Sequence, residues 1–99
     1  MRATQLKELG TGEIQVSGTL GFSDVAALLK SSLGIFDGQA ALVFNLEQVE
    51  KTDSAGLALL LEWMVLAQQS GQSIAFKEIP KQMLEIARVS GLEEILPVV

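Results

Sequence analysis

A chain of 99 residues of which 48% are apolar can bury a usable core unaided, and we expect one domain over residues 1–99. It has no histidine and no cysteine, which excludes a Ser-His-Asp triad, disulfides and zinc sites built on either residue, so we expect neither an enzyme nor a metal or cofactor. The net charge of -5, with only seven lysines and arginines in no cluster, argues against nucleic-acid binding, because such binding depends on neutralising phosphates.

The N-terminal segment predicts a β-hairpin. A first strand over residues 4–9 is followed by a turn signal at residues 10–12, and residues 13–17 then alternate between apolar and polar as a half-buried strand does. We expect these two strands to pair with each other.

A break at residues 18–21 leads to the first predicted helix. Ser23 has the short polar side chain that caps helix starts, and Asp24 suits the dipole of the first turn. Gly34 is expected to end the helix, and Gly38 lies in the connection that follows. The residues expected on its inner face are Val25, Leu28, Leu29 and Leu33.

Residues 40–46 form a short apolar run, with Asn45 as its one polar residue, that lacks proline and glycine and has the length of a strand. This pattern predicts a central strand that is buried on both faces. A polar hinge follows at residues 51–54, where Asp53 or Ser54 can cap the next helix by accepting a bond from a free N–H group of the first turn.

The helix predicted over residues 55–67 is unusual, because only Gly56 and Glu62 interrupt its apolar residues. A surface helix normally has one apolar stripe and a broad polar face, so this helix must be covered on more than one side. One face should pack on the sheet: Leu57, Leu60, Leu61, Met64 and Ala67. A flank of Leu59, Trp63 and Leu66 would lie in water on a small sheet, and we predict that a partner protein covers it. The alternative is that the C-terminal segment covers Trp63.

The last third of the chain predicts a strand, a helix and a final turn. Residues 70–72 should end the long helix, and residues 73–79 predict a strand parallel to the one before it. Pro80 fits the first position of a third helix, and Gly91 its end. The residues expected to face inward are Met83, Leu84 and Ala87 in this helix, and Leu92, Ile95 and Leu96 in the final turn.

The hinge and the start of the long helix resemble the signature of STAS domains, in which Asp is followed by Ser or Thr, a small residue, Gly and an aliphatic residue. Residues 53–57 are similar to it at each key position, and residues 16–20 and 90–92 extend the resemblance over nearly the whole chain. The resemblance implies an α/β fold with a mixed sheet of four or five strands and helices packed mainly on one face. It also implies a functional surface at the start of the helix after the motif.

Two kinds of STAS protein are most similar to this chain. The Leu-rich motif helix resembles that of the stand-alone STAS subunit of the Mla phospholipid transporter, which binds the ATPase of that ABC complex and serves outer-membrane lipid asymmetry. The second kind is the anti-sigma factor antagonist, in which a Ser at the position of Ser54 is phosphorylated by a partner kinase. The chain departs from that kind at Ala55, where antagonists often carry a second Ser. A third alternative is a STAS module that binds a small ligand.

These resemblances imply that the partner is the ATPase of an ABC phospholipid transporter or, alternatively, an anti-sigma factor kinase. On the residues alone, a role as a helix cap and nothing more would also explain Ser54. Gly56 either lets a partner backbone approach closely or lets the helix pack tightly on the sheet. Ser54 is also a possible phosphorylation site. The predicted partner-binding residues are Thr52, Asp53, Ser54, Ala55, Gly56, Leu59, Glu62, Trp63 and Leu66.

The expected location is cytoplasmic. The first residues lack the apolar region of a secretion signal, and the absence of cysteine fits a reducing compartment. The apolar block at residues 57–67 is too short to span a bilayer and contains Glu62. We therefore expect the protein to be peripheral to the inner membrane only through the transporter complex.

Overall fold

The computed structural model describes residues 4–10, 12–38 and 41–99. Across the sheet the strands follow their order in the chain: β1 (Gln5–Gly10), β2 (Glu13–Leu20), β3 (Leu42–Thr52) and β4 (Ile74–Lys77). The first two strands pair antiparallel, and the other two pairs are parallel. The helices are α1 (Val25–Ser32), α2 (Ser54–Ser70) and α3 (Lys81–Val89). The predicted α/β fold with a mixed sheet is confirmed.

The predicted hairpin is also confirmed, although its first strand begins and ends one residue later than expected. Thr11, in the predicted turn, lies outside the described residues. The helix α1 connects β2 to β3, and α2 connects β3 to β4, so each parallel pair is joined by a helical crossover, as parallel strands require.

The helices pack side by side on one face of the sheet, where α2 contacts both α1 and α3. The core lies between these helices and the sheet, with the ring of Phe44 in β3 stacked on Trp63 in α2 at a centroid distance of 4.2 Å. The opposite face carries polar and charged side chains. There Asn45 Nδ2 donates to Glu13 Oε2 at 3.3 Å, and Lys77 Nζ lies 3.6 Å from the same oxygen.

The strand β3 is longer and less buried than predicted. It runs on from Leu46 to Thr52, and its polar second half pairs with β2 from Ser17 to Leu20. The expectation of burial on both faces is wrong, because buried residues alternate with half-buried ones that point to the helix-free face. Ala40, the predicted first residue, lies outside the described part of the chain.

Two predicted helix starts are wrong by one residue. The N-cap position of α1 is Asp24 instead of Ser23, and Asp24 Oδ2 accepts a bond from Gly21 N at 3.2 Å, which closes the loop before the helix. Pro80 occupies the N-cap position of α3 and not its first turn. On the inner face of α1, Leu33 is exposed, because the α-helix has given way to a 3₁₀ turn, Leu33–Ile35.

The ends of the long helix agree with the sequence. The helix α2 ends at Ser70, and Gly71 follows in the left-handed conformation at φ 75°. Its N-H bonds back to the last turn, as a helix-ending glycine does. Within the described ranges, none of the helices has both the length and the hydrophobicity needed to cross a bilayer.

The C-terminal segment packs against the sheet after a 3₁₀ turn, Glu93–Ile95, that confirms the predicted last turn. Leu96 is buried, whereas Ile95, which was expected to face inward, is exposed. The backbone then pairs with the outer edge of β4, where Phe76 N donates to Pro97 O at 2.7 Å and Val99 N donates to Phe76 O at 3.0 Å. No sequence pattern indicated this pairing.

Candidate functional site

Asp53 joins the carboxyl end of β3 to the start of α2. Its Oδ1 accepts a bond from Ala55 N at 2.8 Å, so Asp53 is the N-cap of the helix. Ser54 is the first helical residue, which settles the choice between the two predicted caps in favour of Asp53. The side chain of Ser54 is exposed, and among the described residues its hydroxyl has no hydrogen-bond partner.

The second oxygen of Asp53 holds a different part of the chain. Its Oδ2 accepts a bond from Phe22 N at 3.2 Å, in the loop between β2 and α1. Gly21 lies beside it, and a Cβ there would be 3.5 Å from Asp53 Oδ2 and 3.4 Å from Asp24 Oδ2. One carboxylate thus caps the helix, as predicted for Asp53, and also fixes the loop against the helix start.

We expect Asp53→Ala to lower the free energy of unfolding by about 1 to 2 kcal/mol, because the helix loses its cap and the Phe22 N–H loses its acceptor. Asp53→Asn is the matched comparison, since its single side-chain oxygen can still cap the helix while its NH2 group cannot accept from Phe22 N, and it should cost less than Asp53→Ala. Urea unfolding of the two variants measures the difference. Equal losses would show that the cap on Ala55 N contributes little and that the second carboxylate oxygen, with its charge, stabilises this end of α2.

Thr52 and Gly56 are buried and belong to the packing beneath the site. Thr52 Oγ1 donates to Leu20 O at 3.2 Å, and Thr52 N donates to Gln82 Oε1 at 3.3 Å. A Cβ at Gly56 would collide with Thr52 Oγ1 and lie 3.0 Å from Leu20 O. Gly56 therefore packs tightly on the sheet, and both residues are buried beneath the site; their contact with a partner stays a prediction.

The predicted water-facing flank of α2 is wrong as well. Trp63 is 0% exposed and Leu59 is 2% exposed, while Leu66 is half-buried. Trp63 stacks on Phe44, and its Nε1 donates to Ser32 Oγ at 2.8 Å. Trp63 is enclosed by this chain itself, between Phe44 of β3 and Ser32 at the end of α1. Trp63 is consequently a core residue.

The surface that remains at the motif is an apolar groove between α1 and α2, of about 600 Å³. Phe22 is 86% exposed beside it. We call it the α1–α2 groove, lined by Phe22, Val25, Ala26, Leu29, Ser54, Ala55, Ala58, Leu59 and Glu62. A larger depression of about 780 Å³ between β1 and α1 contains none of the predicted site residues.

The α1–α2 groove brings together four of the predicted residues: Ser54, Ala55, Leu59 and Glu62. It also includes residues that the sequence reasoning missed, of which Phe22 is the most prominent. Its only signal in the sequence was its position as an aromatic residue in the break before the first predicted helix, where no core position is expected. An exposed apolar groove with a hydroxyl and a carboxylate on its border is suited to bind an apolar segment of another molecule.

Comparison with known proteins gives one family and one fold. A family model described as "Mlab, STAS domain" matches residues 4–97. Among curated proteins, none matches the sequence.

Several solved structures share the fold. The anti-sigma factor antagonist SpoIIAA in its unphosphorylated form is 17% identical at a TM-score of 0.73, with 98% of this chain and 88% of that chain covered. An anti-sigma-factor antagonist (STAS) domain protein from Planctomyces limnophilus is 18% identical at a TM-score of 0.72, with 100% of this chain and 90% of that chain covered. A sulfate transporter family protein from Wolinella succinogenes is 18% identical at a TM-score of 0.69, with 92% of this chain and 77% of that chain covered. The chain belongs to the STAS domain family, whose members are generally non-enzymatic protein-interaction domains.

Proposed function

We propose that this protein is an MlaB-like subunit that binds the cytoplasmic ATPase of an ABC phospholipid transporter, stabilises or regulates it, and so serves outer-membrane lipid asymmetry. The observation that carries the proposal is the family model, whose description names Mlab and which covers residues 4–97. The protein would then be held at the inner membrane through the complex.

The α1–α2 groove is the docking surface in this proposal. It lies at the start of the motif helix, where the resemblance implies the functional surface, and it exposes Phe22 to solvent. A large apolar side chain contributes about 1.5 to 3 kcal/mol when it is fully buried, so covering Phe22 alone would supply a sizeable part of the affinity. The backbone of Phe22 is already held by Asp53, which lowers the entropy lost on binding.

The second candidate function is an anti-sigma factor antagonist controlled by phosphorylation of Ser54. It is favoured by the fold shared with SpoIIAA and by the exposure of the Ser54 hydroxyl at the start of α2. A helix N-terminus accommodates a phosphate group, although Asp53 would add a like charge beside it. Both functions use the same end of α2.

The partner separates the two functions. We would purify the protein from its native cytoplasm and membranes and identify the proteins that co-purify by mass spectrometry. Co-purification of the transporter ATPase supports the proposal. A kinase that also sequesters a sigma factor, recovered without the ATPase, would contradict it in favour of the second candidate.

We expect Ser54→Glu to leave the fold intact and to weaken binding of the ATPase at least about tenfold. A carboxylate in the first turn suits the helix dipole, but at an interface built around a neutral hydroxyl it must lose water without a partner. Thermal melts and titration with the ATPase measure the two effects.

Two controls accompany this variant. Ser54→Ala removes the hydroxyl without adding charge, and Ser73→Glu adds the same charge at an exposed position outside the α1–α2 groove. If Ser54→Glu binds the ATPase as tightly as the parent protein does, the start of α2 is not part of the interface.

A further inference from the structure

Glu62 is the one charged side chain among the described residues that line the α1–α2 groove. It is exposed, and it forms no hydrogen bond or ion pair within the part of the chain that the structure describes. The rest of the lining is apolar apart from the hydroxyl of Ser54. A partner segment that fills the groove would therefore bring apolar side chains against its walls and leave one carboxylate to be neutralised.

The loop end of the groove is acidic as well. Asp24 accepts one backbone bond and Asp53 two beside that end, just outside the lining, and neither forms an ion pair with a basic side chain in the described ranges. No lysine or arginine contributes to the described lining. Because complementary charge fixes the orientation and register of a partner, this distribution favours a cationic segment and disfavours an acidic one.

The position of the groove between two helices and the spacing of its residues along α2 suit a helical segment. Ala58 and Glu62 are four residues apart, which is about 6 Å along a helix. The groove runs between two helices, a site in which a third helix packs by placing side chains one turn apart. A partner helix lying along α2 would place an apolar side chain against Ala58 and, one turn further on, another of its side chains against Glu62.

We propose that the α1–α2 groove binds an amphipathic helix of the ATPase that places apolar side chains against Phe22 and Ala58 and a lysine or arginine against Glu62. This inference rests on the proposed function and specifies the partner's chemistry. The apolar contacts supply most of the affinity, and the ion pair supplies specificity and the rate of association.

The test measures the affinity of the purified protein for the purified transporter ATPase at several salt concentrations. Glu62→Gln should weaken binding several-fold and Glu62→Lys at least about tenfold, with a shallower salt dependence in both, because a charge pair across the interface has been lost. The matched control is Glu85→Lys, which makes the same charge change at an exposed position on α3. It should bind within about twofold of the parent.

A photo-crosslinker at position 58 then identifies the ATPase segment that lies in the groove. Reversing the charge of the lysine or arginine in that segment should restore binding to Glu62→Lys. Thermal melts of all variants should be unchanged, because Glu62 has no partner in the described structure.

The outcomes are separable. If the parent protein binds the ATPase and Glu62→Lys binds as tightly as Glu85→Lys, the cationic helix is wrong and the proposed function stands. If the Glu62 variants bind as tightly as the parent but Phe22→Ser does not bind, the occupant is apolar and uncharged, and the inference is also overturned. If the parent protein does not bind the ATPase, the proposed function and this inference both fail.

Discussion

Replacing Trp63 with alanine should lower the free energy of unfolding by about 3 to 5 kcal/mol, as the loss of a core aromatic side chain does. The side chain is 0% exposed and stacks on Phe44 with the ring centroids 4.2 Å apart. Its removal would leave a cavity between α2 and the sheet that neighbouring side chains fill only in part. Urea unfolding of the isolated protein measures the loss.

Two further variants separate packing from hydrogen bonding. Trp63→Phe keeps an aromatic ring but removes the N–H that donates to Ser32 Oγ, and it should cost clearly less than Trp63→Ala. Val65→Ala removes an apolar side chain that is 46% exposed on the same helix and should cost less than about 1 kcal/mol. A Trp63→Ala protein that unfolds like Val65→Ala would contradict the placement of Trp63 in the core.

The second large effect is expected for Gly56→Ala, at about 1 to 3 kcal/mol of destabilisation. Alanine favours a helix over glycine by about 1 kcal/mol, so a stabilising change would be expected from propensity alone. Here the added Cβ would collide with Thr52 Oγ1 and would lie 3.1 Å from the end of the Met83 side chain. The backbone of Leu20 cannot give way without moving β2, and the collision therefore outweighs the propensity.

Gly34→Ala is the matched control for this variant. A Cβ at Gly34 meets nothing within 4 Å, and its backbone is not in the left-handed region. The variant should unfold within about 0.5 kcal/mol of the parent by the same urea measurement. If Gly56→Ala proved as stable as Gly34→Ala, the helix start would not be held against the sheet as tightly as the structure indicates.

Elements with local signals could be predicted from the sequence. The helix α2 has a cap at Asp53 and a glycine stop at Gly71, and both lie where the pattern placed them. The second half of β3 had no such signal, because its residues are polar. The structure explains this composition: β4 pairs with β3 only from Leu42 to Asn45, so the later residues have β2 as their only strand neighbour in the described sheet.

The site was predictable only where it depends on the motif. The roles of Asp53 follow from its side chain and its place before a helix. The burial of Trp63 does not, because it depends on how α2 lies relative to β3 and α1, which no periodicity encodes. Ser32 looked like an ordinary polar residue near a helix end, yet it is buried and supplies the acceptor for the Trp63 N–H. The same relative placement creates the α1–α2 groove and leaves Phe22 at its border.

The pairing of the C-terminal residues with β4 has a consequence for self-association. An uncovered sheet edge presents free N–H and C=O groups on which a strand of another molecule can add, and this is a common route to aggregation. On that edge, the backbone N–H of Phe76 donates to Pro97 O and the backbone C=O of Phe76 accepts from Val99 N, so neither group is free. The opposite edge, β1, carries Lys7 and an irregularity between Glu8 and Gly10, two features that discourage strand addition. Deleting residues 97–99 should therefore make the protein prone to aggregate through β4, even though the α1–α2 groove would be unchanged.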